Sequence, residues 1–302
     1  MGKDEESLIH SRKNRQEFIT EYGVIPHSIM VHNKNDKALD LSADVKSYGN
    51  TSQLHKKGTK NDLQRIQYEA GIFKVSGQGS GSGALSRFPQ NIGRFFVKFY
   101  SPSKGTIFDP FAGHNSRMEL VYSTGRNYVG TDICAEFMKA NRKIKHLLEK
   151  DNGSKLLKKS GKIILYEKSS ASLPEIPSSL ADYTITSPPY WDVEYYGPEE
   201  EQLGKAKTFD KFMELLTFHI KENFRILKPG SYCTWFVNDF VKNKVFYCYH
   251  AELIKAFQLV GFTLHDIVIV DLGNPILGAF VETIKKTKRS AKRHEYAITF
   301  KK

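Results

Sequence analysis

The sequence predicts an α/β fold: a doubly wound, mostly parallel sheet with helices on both faces, preceded by a small N-terminal accessory region. Three observations carry that expectation. From residue 91 onward, short apolar runs of strand length alternate with amphipathic helical stretches, an order that implies βαβ crossovers. Two of the strand-like runs end at an acid, Asp109 and Asp132, and a third ends at Ser187-Pro188-Pro189. Ligands of such sheets sit beyond the C-terminal ends of the strands, so chemistry is expected at these three places.

The elements follow in order. Residues 1 to about 75 are polar, with short apolar runs such as GVIPHSIMV, a charged middle (KKGTKNDLQR) and no sustained period, and they read as irregular. SGQGSGSGALSRFPQ, 76 to 90, has the composition of a flexible linker, but glycines also permit close backbone approach to a ligand, and both readings stand. The expected division is 1–85, an accessory region with a Gly/Ser-rich connection, and 86–302, the α/β domain. NIGRFFVKFYS reads as an amphipathic helix, GTIFDPF as a strand, and SRMELVYSTG as a helix with Gly125 just past its end. RNYVGTDI is a strand, CAEFMKANRKIKHLLEK a charged helix, and GKIILYEK and ADYTITSPP are strands. In TFDKFMELLTFHIKENFRILKPG the residues Phe209, Phe212, Leu215, Leu216, Phe224 and Leu227 recur at helical spacing, and Lys228-Pro229-Gly230 ends the element. The strand SYCTWFV, the helix HAELIKAFQLVG and two last strands, HDIVIVDL and EYAITFK, complete the chain, the latter pair separated by a basic segment.

Composition narrows the class of partner. The 302 residues suffice for one large domain or a domain with an appendage, and 40% hydrophobic content supplies a core. Lys and Arg number 45 against 33 Asp and Glu, a formal charge of +12 that favours a polyanion. Cys134, Cys233 and Cys248 are sparse, odd in number and without C-x-x-C spacing, so neither a disulfide framework nor a metal site is expected. The charged opening MGKDEESLIHSRKNRQEF does not suit a signal peptide, and no run reaches the ~18 apolar residues of a membrane span. The expected location is a reducing cytoplasm, without membrane association.

Asp109 lies in FDPFAGHNSR, a turn leading into a helix, and Asp132 closes the next strand roughly 20 residues on, where an acid accepts hydrogen bonds from ribose hydroxyls. The turn has neither G-x-G-x-x-G nor G-K-S/T, so a nucleoside without a pyrophosphate is expected in place of NAD or ATP. S-adenosylmethionine is such a ligand, and its sulfonium cation suits an acidic turn.

With FPQNIGRFFVKFYSPSKGTIFDPFAG, GRNYVGTDI and TSPPYW in this order, and KRHEYAITFKK at the end, residues 86 to 302 resemble the S-adenosylmethionine-dependent DNA methyltransferases that modify cytosine N4 or adenine N6, and more particularly the phage and mobile-element methylases of this type. The resemblance implies a Rossmann-like methyltransferase sheet with an antiparallel C-terminal strand, and double-stranded DNA as substrate. It implies cofactor contacts from Phe88, Pro89, Asp109, Pro110, Phe111, Gly113 and Asp132, and a catalytic tetrad Ser187, Pro188, Pro189 and Tyr190. Two positions depart from the family. Asn115 stands where a second glycine is usual, and Ser169 where an acid is common, with Glu167 as a substitute.

An exocyclic amino group is a poor nucleophile because its lone pair is delocalised into the ring. Acceptors on its protons, here the Ser187 hydroxyl and the Pro188 carbonyl, draw that lone pair toward the methyl donor, and the prolines stiffen the loop. The target base must leave the duplex and stack on an aromatic face, the role expected of Tyr190 with Trp191 in support. No cysteine follows a proline, which argues against attack on the cytosine ring through a Pro-Cys nucleophile. The basic segment VETIKKTKRSAKRH offers Lys285, Lys286, Lys288, Arg289, Lys292 and Arg293 to phosphates, or is a solvated loop. Ser before Pro-Pro-Tyr leans toward cytosine N4. Adenine N6, an RNA or protein amide acceptor, and a non-enzymatic nucleic-acid-binding protein with a degenerate cofactor site remain as alternatives. The oligomeric state is not legible.

Overall fold

The computed structural model describes residues 3–31, 88–113, 116–150, 161–191, 198–273 and 277–302. Helix α1 (Lys3–Tyr22) and strand β1 (Ile29–Val31) come first, followed by α2 (Gln90–Tyr100), β2 (Thr106–Asp109), α3 (Ser116–Ser123), β3 (Asn127–Asp132), α4 (Ala135–Lys150), β4 (Ile163–Glu167) and β5 (Ala181–Thr186). Beyond a short 3-10 turn lie α5 (Phe209–Ile226), β6 (Leu227–Val237), β7 (Phe240–Lys242), β8 (Val245–Tyr247), α6 (Tyr249–Val260), β9 (Thr263–Asp271), α7 (Leu277–Thr287) and β10 (His294–Lys301).

Eight strands form one sheet in the order β1-β9-β10-β6-β5-β2-β3-β4, and β7 and β8 form a separate hairpin. Strands β4, β3, β2, β5 and β6 run parallel. Strand β10 inserts antiparallel between β6 and β9. The chain winds one way from β2 through β3 to β4 and the other way from β5 to β6, so the switch point, where a crevice opens, lies between β2 and β5. The expected α/β class, with its antiparallel C-terminal strand, is the observed one.

Alternation along each strand sorts the core into two layers. Ile107 and Tyr128 join α2, α3 and the inward face of α4 on one side, while their neighbours Phe108 and Val129 join α5 and α6 on the other. A sheet buried on both faces explains why its strands read as nearly continuous apolar runs.

Four features differ from the sequence reading. Helix α1 forms from strong helix formers without an apolar stripe, and it docks through Phe18 and Tyr22, whose rings lie 6.0 and 5.4 Å from that of Phe99. Strand β1 joins the main sheet beside β9, and the Asn91 side chain donates to its Val31 carbonyl at 3.0 Å, so described parts of residues 1–85 belong to the same layer as the rest. Helix α5 passes directly into β6 at Leu227, placing Lys228-Pro229-Gly230 inside the strand opposite a register shift, with Gly230 at φ +76. The segment between the last two strands carries α7. Residues 76–87 of the expected linker 76–90, His114 and Asn115, and residues 192–197 lie outside the described residues.

Candidate active site

A cavity of 370 Å³ opens at the C-terminal ends of β2, β3, β5 and β6. It is walled by Phe88, Pro89, Pro110, Phe111, Gly113 and Asp132 on one side and by Ser187, Pro188, Pro189 and Tyr190 on the other. Ten of the eleven residues expected to bind cofactor or act in catalysis therefore share one space.

Asp109 is the exception. It does not line the cavity and is fully buried. Its carboxylate accepts from Arg117 Nε at 2.8 Å, Tyr128 OH at 2.9 Å, Thr186 Oγ1 at 2.6 Å and the Phe111 amide at 3.3 Å. The expectation of direct cofactor contact is corrected: Asp109 shares a strand face with Ile107, and this turns its carboxylate under the turn, where it ties β2 to β3, β5 and α3. Arg117 also donates to the Phe111 carbonyl. Burial opposes the guanidinium charge, but Asp109 outweighs it and holds Arg117 above its ordinary pKa.

The turn above Asp109 is fixed from every side. The Thr131 hydroxyl donates to the Pro110 carbonyl at 3.1 Å, the Ala112 amide to the Thr131 carbonyl at 2.9 Å, and Asn141 Nδ2 to the Gly113 carbonyl at 2.8 Å. Gly113 sits at φ +51, a conformation that disfavours a side chain. Asp132 accepts from the Gly113 and Cys134 amides, each at 2.8 Å. Burial raises its pKa to about 6 in spite of those two donors. Each oxygen keeps a second lone pair for a ligand hydroxyl.

His219, which the sequence reading passed over, also lines the cavity. Ser170 donates its single proton to the Pro110 carbonyl at 2.7 Å, so His219 Nδ1, 2.7 Å from the same hydroxyl oxygen, must be the donor in that contact. Burial lowers the His219 pKa to about 4, so the ring is neutral at pH 7 with its lone pair on Nε2. Its one signal in the sequence is position: a histidine on the α5 stripe between the buried Leu216 and Ile220. Ser169 and Lys168 line the same wall. Glu167 does not; it pairs with Arg142 at 2.6 Å on the outside, which removes it as a substitute acid.

On the opposite wall β5 ends in the Ser-Pro-Pro turn. Among the described residues neither the Ser187 hydroxyl nor the Pro188 carbonyl has a hydrogen-bond partner, whereas the Pro189 carbonyl accepts from Tyr249 OH at 3.4 Å. Tyr190 is half-buried, with Phe240 and Tyr249 edge-on at 6.3 and 5.9 Å. Trp191 is only 7% exposed and donates through Nε1 to the Ala206 carbonyl at 2.7 Å, so the expectation that it touches nucleic acid is corrected: its ring is core beneath the Tyr190 loop. Asp239, also on the wall, accepts from the His250 amide at 3.2 Å and pairs with His250 Nδ1 at 2.7 Å. Asp239, Cys248 and His250 bring three donor atoms within 4.8 Å of one another, two of them already joined by that hydrogen bond.

The six basic residues are all exposed, yet they are not equivalent. Arg293 grips Asp271 through two nitrogens at 2.8 and 2.6 Å, so its charge is already shared with that carboxylate, and the same contact lowers the Asp271 pKa to about 2. Lys285 pairs with Glu282 at 3.0 Å on α7. Arg289 donates to the Lys244 carbonyl at 2.5 Å, and Lys292 lies 5.9 Å from the Phe246 ring. Lys286 and Lys288 complete the set.

No family model and no curated protein matches the sequence. Among solved structures, a methyltransferase described as S-adenosylmethionine-dependent, from Methanosarcina mazei, is 16% identical over 72% of this chain and 99% of its own, with a TM-score of 0.48. TrmN from Thermus thermophilus gives 13% identity over 70% of this chain and 48% of its own, TM-score 0.47. A candidate DNA modification methylase from the same organism gives 21% identity over 44% and 48%, TM-score 0.33. The chain spans about half the length of the last two. At these scores the likenesses carry no argument, and the class rests on this chain's own strand order: a doubly wound α/β sheet of Rossmann-like type with an antiparallel C-terminal strand. Among the described residues no helix is long and apolar enough to cross a membrane.

Proposed function

We propose that the chain is an S-adenosylmethionine-dependent methyltransferase acting on an exocyclic amino group in double-stranded DNA, cytosine N4 in preference to adenine N6. The observation that carries the reading is the pair of acceptors, Ser187 Oγ and the Pro188 carbonyl, which have no hydrogen-bond partner among the described residues, on one wall of a cavity whose other wall is the Asp132–Gly113 turn. The residues present fit the cofactor. Asp132 offers carboxylate lone pairs to ribose hydroxyls, and Phe88, Phe111, Ile133 and Phe137 offer apolar faces. The neutral His219 offers an acceptor at Nε2. When bound, the cofactor supplies an electrophilic methyl group on a sulfonium.

This chain's residues do the rest. The Ser187 hydroxyl and the Pro188 carbonyl accept hydrogen bonds from the amino group and hold its lone pair out of conjugation, the Pro-Pro backbone keeps both acceptors fixed before the substrate arrives, and the proton that the nitrogen sheds on methylation passes to solvent. Tyr190, held edge-on by Phe240 and Tyr249, supports the base once it has left the stack. Lys286, Lys288, Arg289 and Lys292 set the register on the phosphates.

The test is incubation of purified protein with unmodified DNA and labelled S-adenosylmethionine, nuclease digestion and mass spectrometry of the nucleosides. N4-methylcytosine is expected; N6-methyladenine keeps the mechanism and overturns the base, and no methylated nucleoside overturns DNA as the substrate. Ser187→Ala should keep cofactor affinity and lose about 100-fold in turnover; unchanged turnover removes Ser187 from catalysis.

A further inference from the structure

The β7–β8 hairpin belongs to no element the chemistry requires, yet it is rooted in the active-site wall. Asp239 and Phe240, at its base, line the cavity, and Phe240 stacks on its cross-strand partner Tyr247 at 5.3 Å. That inner face packs on Trp191 and Phe209. The outer face is the unusual one. Val241 and Phe246 are paired across the strands and are 42% and 52% exposed, and Val245, opposite Lys242 at the tip on the other face, is also 52% exposed. Three large apolar side chains thus stand in solvent within six residues of the cavity rim.

The turn at the tip adds a second observation. Asn243 and Lys244 both have positive φ, at 51 and 65 degrees, as a two-residue type I′ hairpin demands. Glycine is favoured at the second of these positions, and a residue with a Cβ is disfavoured there. Lys244 therefore holds a cation at the tip against the local backbone preference. Arg289 donates to the Lys244 carbonyl and Lys292 approaches the Phe246 ring, so the basic segment and the apolar tip form one surface. An apolar ring set among cations fits a nucleic-acid strand, which offers phosphates to the charges and base faces to the ring.

Building on the DNA reading above, we propose that the β7–β8 hairpin is a wedge for duplex DNA: Phe246, backed by Val241, enters the base stack beside the target and fills the space the extruded base leaves, while Lys244, Arg289 and Lys292 hold the flanking phosphates. Phe240 in the cavity wall and the tool that empties the stack then sit on one eight-residue hairpin, Phe240–Tyr247. A duplex needs the wedge and a single strand does not, because the single strand has no pair to open.

The experiment compares full-length wild type, Phe246→Ala, Phe246→Tyr and, as a remote exposed apolar control, Leu259→Ala, in single-turnover methylation of unmodified genomic DNA presented as duplex or heat-denatured. The expected result is a fall of roughly 10-fold or more in the duplex-to-single-strand rate ratio for Phe246→Ala, a ratio near wild type for Phe246→Tyr, and no change for Leu259→Ala. An equal loss on both substrates overturns the wedge and makes the ring a general stacking platform; an unchanged ratio with unchanged rates overturns it outright. If wild type labels neither DNA form although it binds cofactor, the DNA-methylation reading fails by itself. The hairpin is then judged by affinity for a fluorescent duplex oligonucleotide: a loss of about 10-fold in Phe246→Ala keeps it as a duplex contact, and an unchanged affinity overturns it.

Discussion

Asp109→Asn separates a turn-building acid from a ligand-binding one. The carboxylate is fully buried and collects four donors, among them the guanidinium of Arg117, itself only 6% exposed. Removing one partner of a buried ion pair costs about 3–5 kcal/mol, because the remaining charge is left without compensation. The asparagine still offers one oxygen, to Thr186 or to Tyr128 but not to all the donors, and its amide nitrogen faces hydrogen-bond donors. A loss of about 3 kcal/mol is therefore expected, against a total near 5–15 kcal/mol for a domain. Urea unfolding followed by circular dichroism reads this as a lower midpoint at unchanged slope. Cofactor affinity, by calorimetry below the unfolding transition, should weaken only as far as the turn loosens. If the variant unfolds within about 1 kcal/mol of wild type while cofactor binding disappears, Asp109 is a direct ligand and the placement of its carboxylate under the turn is wrong.

Three other outcomes follow from the same geometry. The Asp132 pKa is raised to about 6 by burial, so in the free protein its ionisation withdraws stability as pH rises through 6; ligand binding runs the opposite way, because ribose hydroxyls need the carboxylate, and affinity should fall about 10-fold from pH 7.5 to 5. Calorimetry across that range checks it, and Asp132→Asn should flatten the profile. Gly93→Ala, which on an open helix face would stabilise by about 0.5–1 kcal/mol, should instead destabilise by about 1–3 kcal/mol, since its Cβ would lie 2.4 Å from Phe88 Cε1 and 2.7 Å from Leu120 Cδ2; a thermal melt showing equal or higher stability would refute the packing. DNA affinity should drop steeply with salt, and Lys286→Ala or Lys288→Ala should each reduce the log–log slope by about 1, whereas Arg293→Ala should leave it unchanged because Asp271 already holds that guanidinium.

The strands that build the site were legible because apolar runs bounded by Gly, Asp or Pro describe a sheet buried on both faces. What escaped had less contrast. Helix α1 is polar around its circumference and is held by two aromatic rings near its end. The β7–β8 hairpin is only eight residues, Phe240–Tyr247, with an Asn-Lys turn where Asn-Gly would have announced it. Helix α7 carries Lys285 and Lys286, two of the six cations that read as a loop. Within the site, the sequence marks the strand end at which an acid stands but not the side of the turn to which its carboxylate goes. Asp132 faces the cavity and Asp109 faces Arg117, although each closes a strand of the same sheet. His219 was hidden for a related reason, since a histidine on an apolar stripe looks like core until the strand ends around it are assembled.

The distribution of charge bears on how one protein handles two ligands of opposite sign. The chain as a whole carries +12, but the cavity is walled by Asp132, Glu201, Asp239 and Glu295 against Lys168 and Arg117, and the Arg117 charge is already met by Asp109. A polyanion is therefore drawn to the basic rim and disfavoured inside, while a cation is drawn inward. The acidic wall of Asp132, Glu201, Asp239 and Glu295 would favour a bound sulfonium cofactor over the neutral thioether left after methyl transfer, so its electrostatic hold would be stronger before transfer than after it. In the proposed reading the DNA phosphates at the rim keep their charge throughout, and salt screens them more than it screens groups inside the cavity. On that reading, turnover at the centre and residence on DNA depend on different charges of one molecule, and the β7–β8 hairpin links them, with Asp239 at its base and Lys244 at its tip.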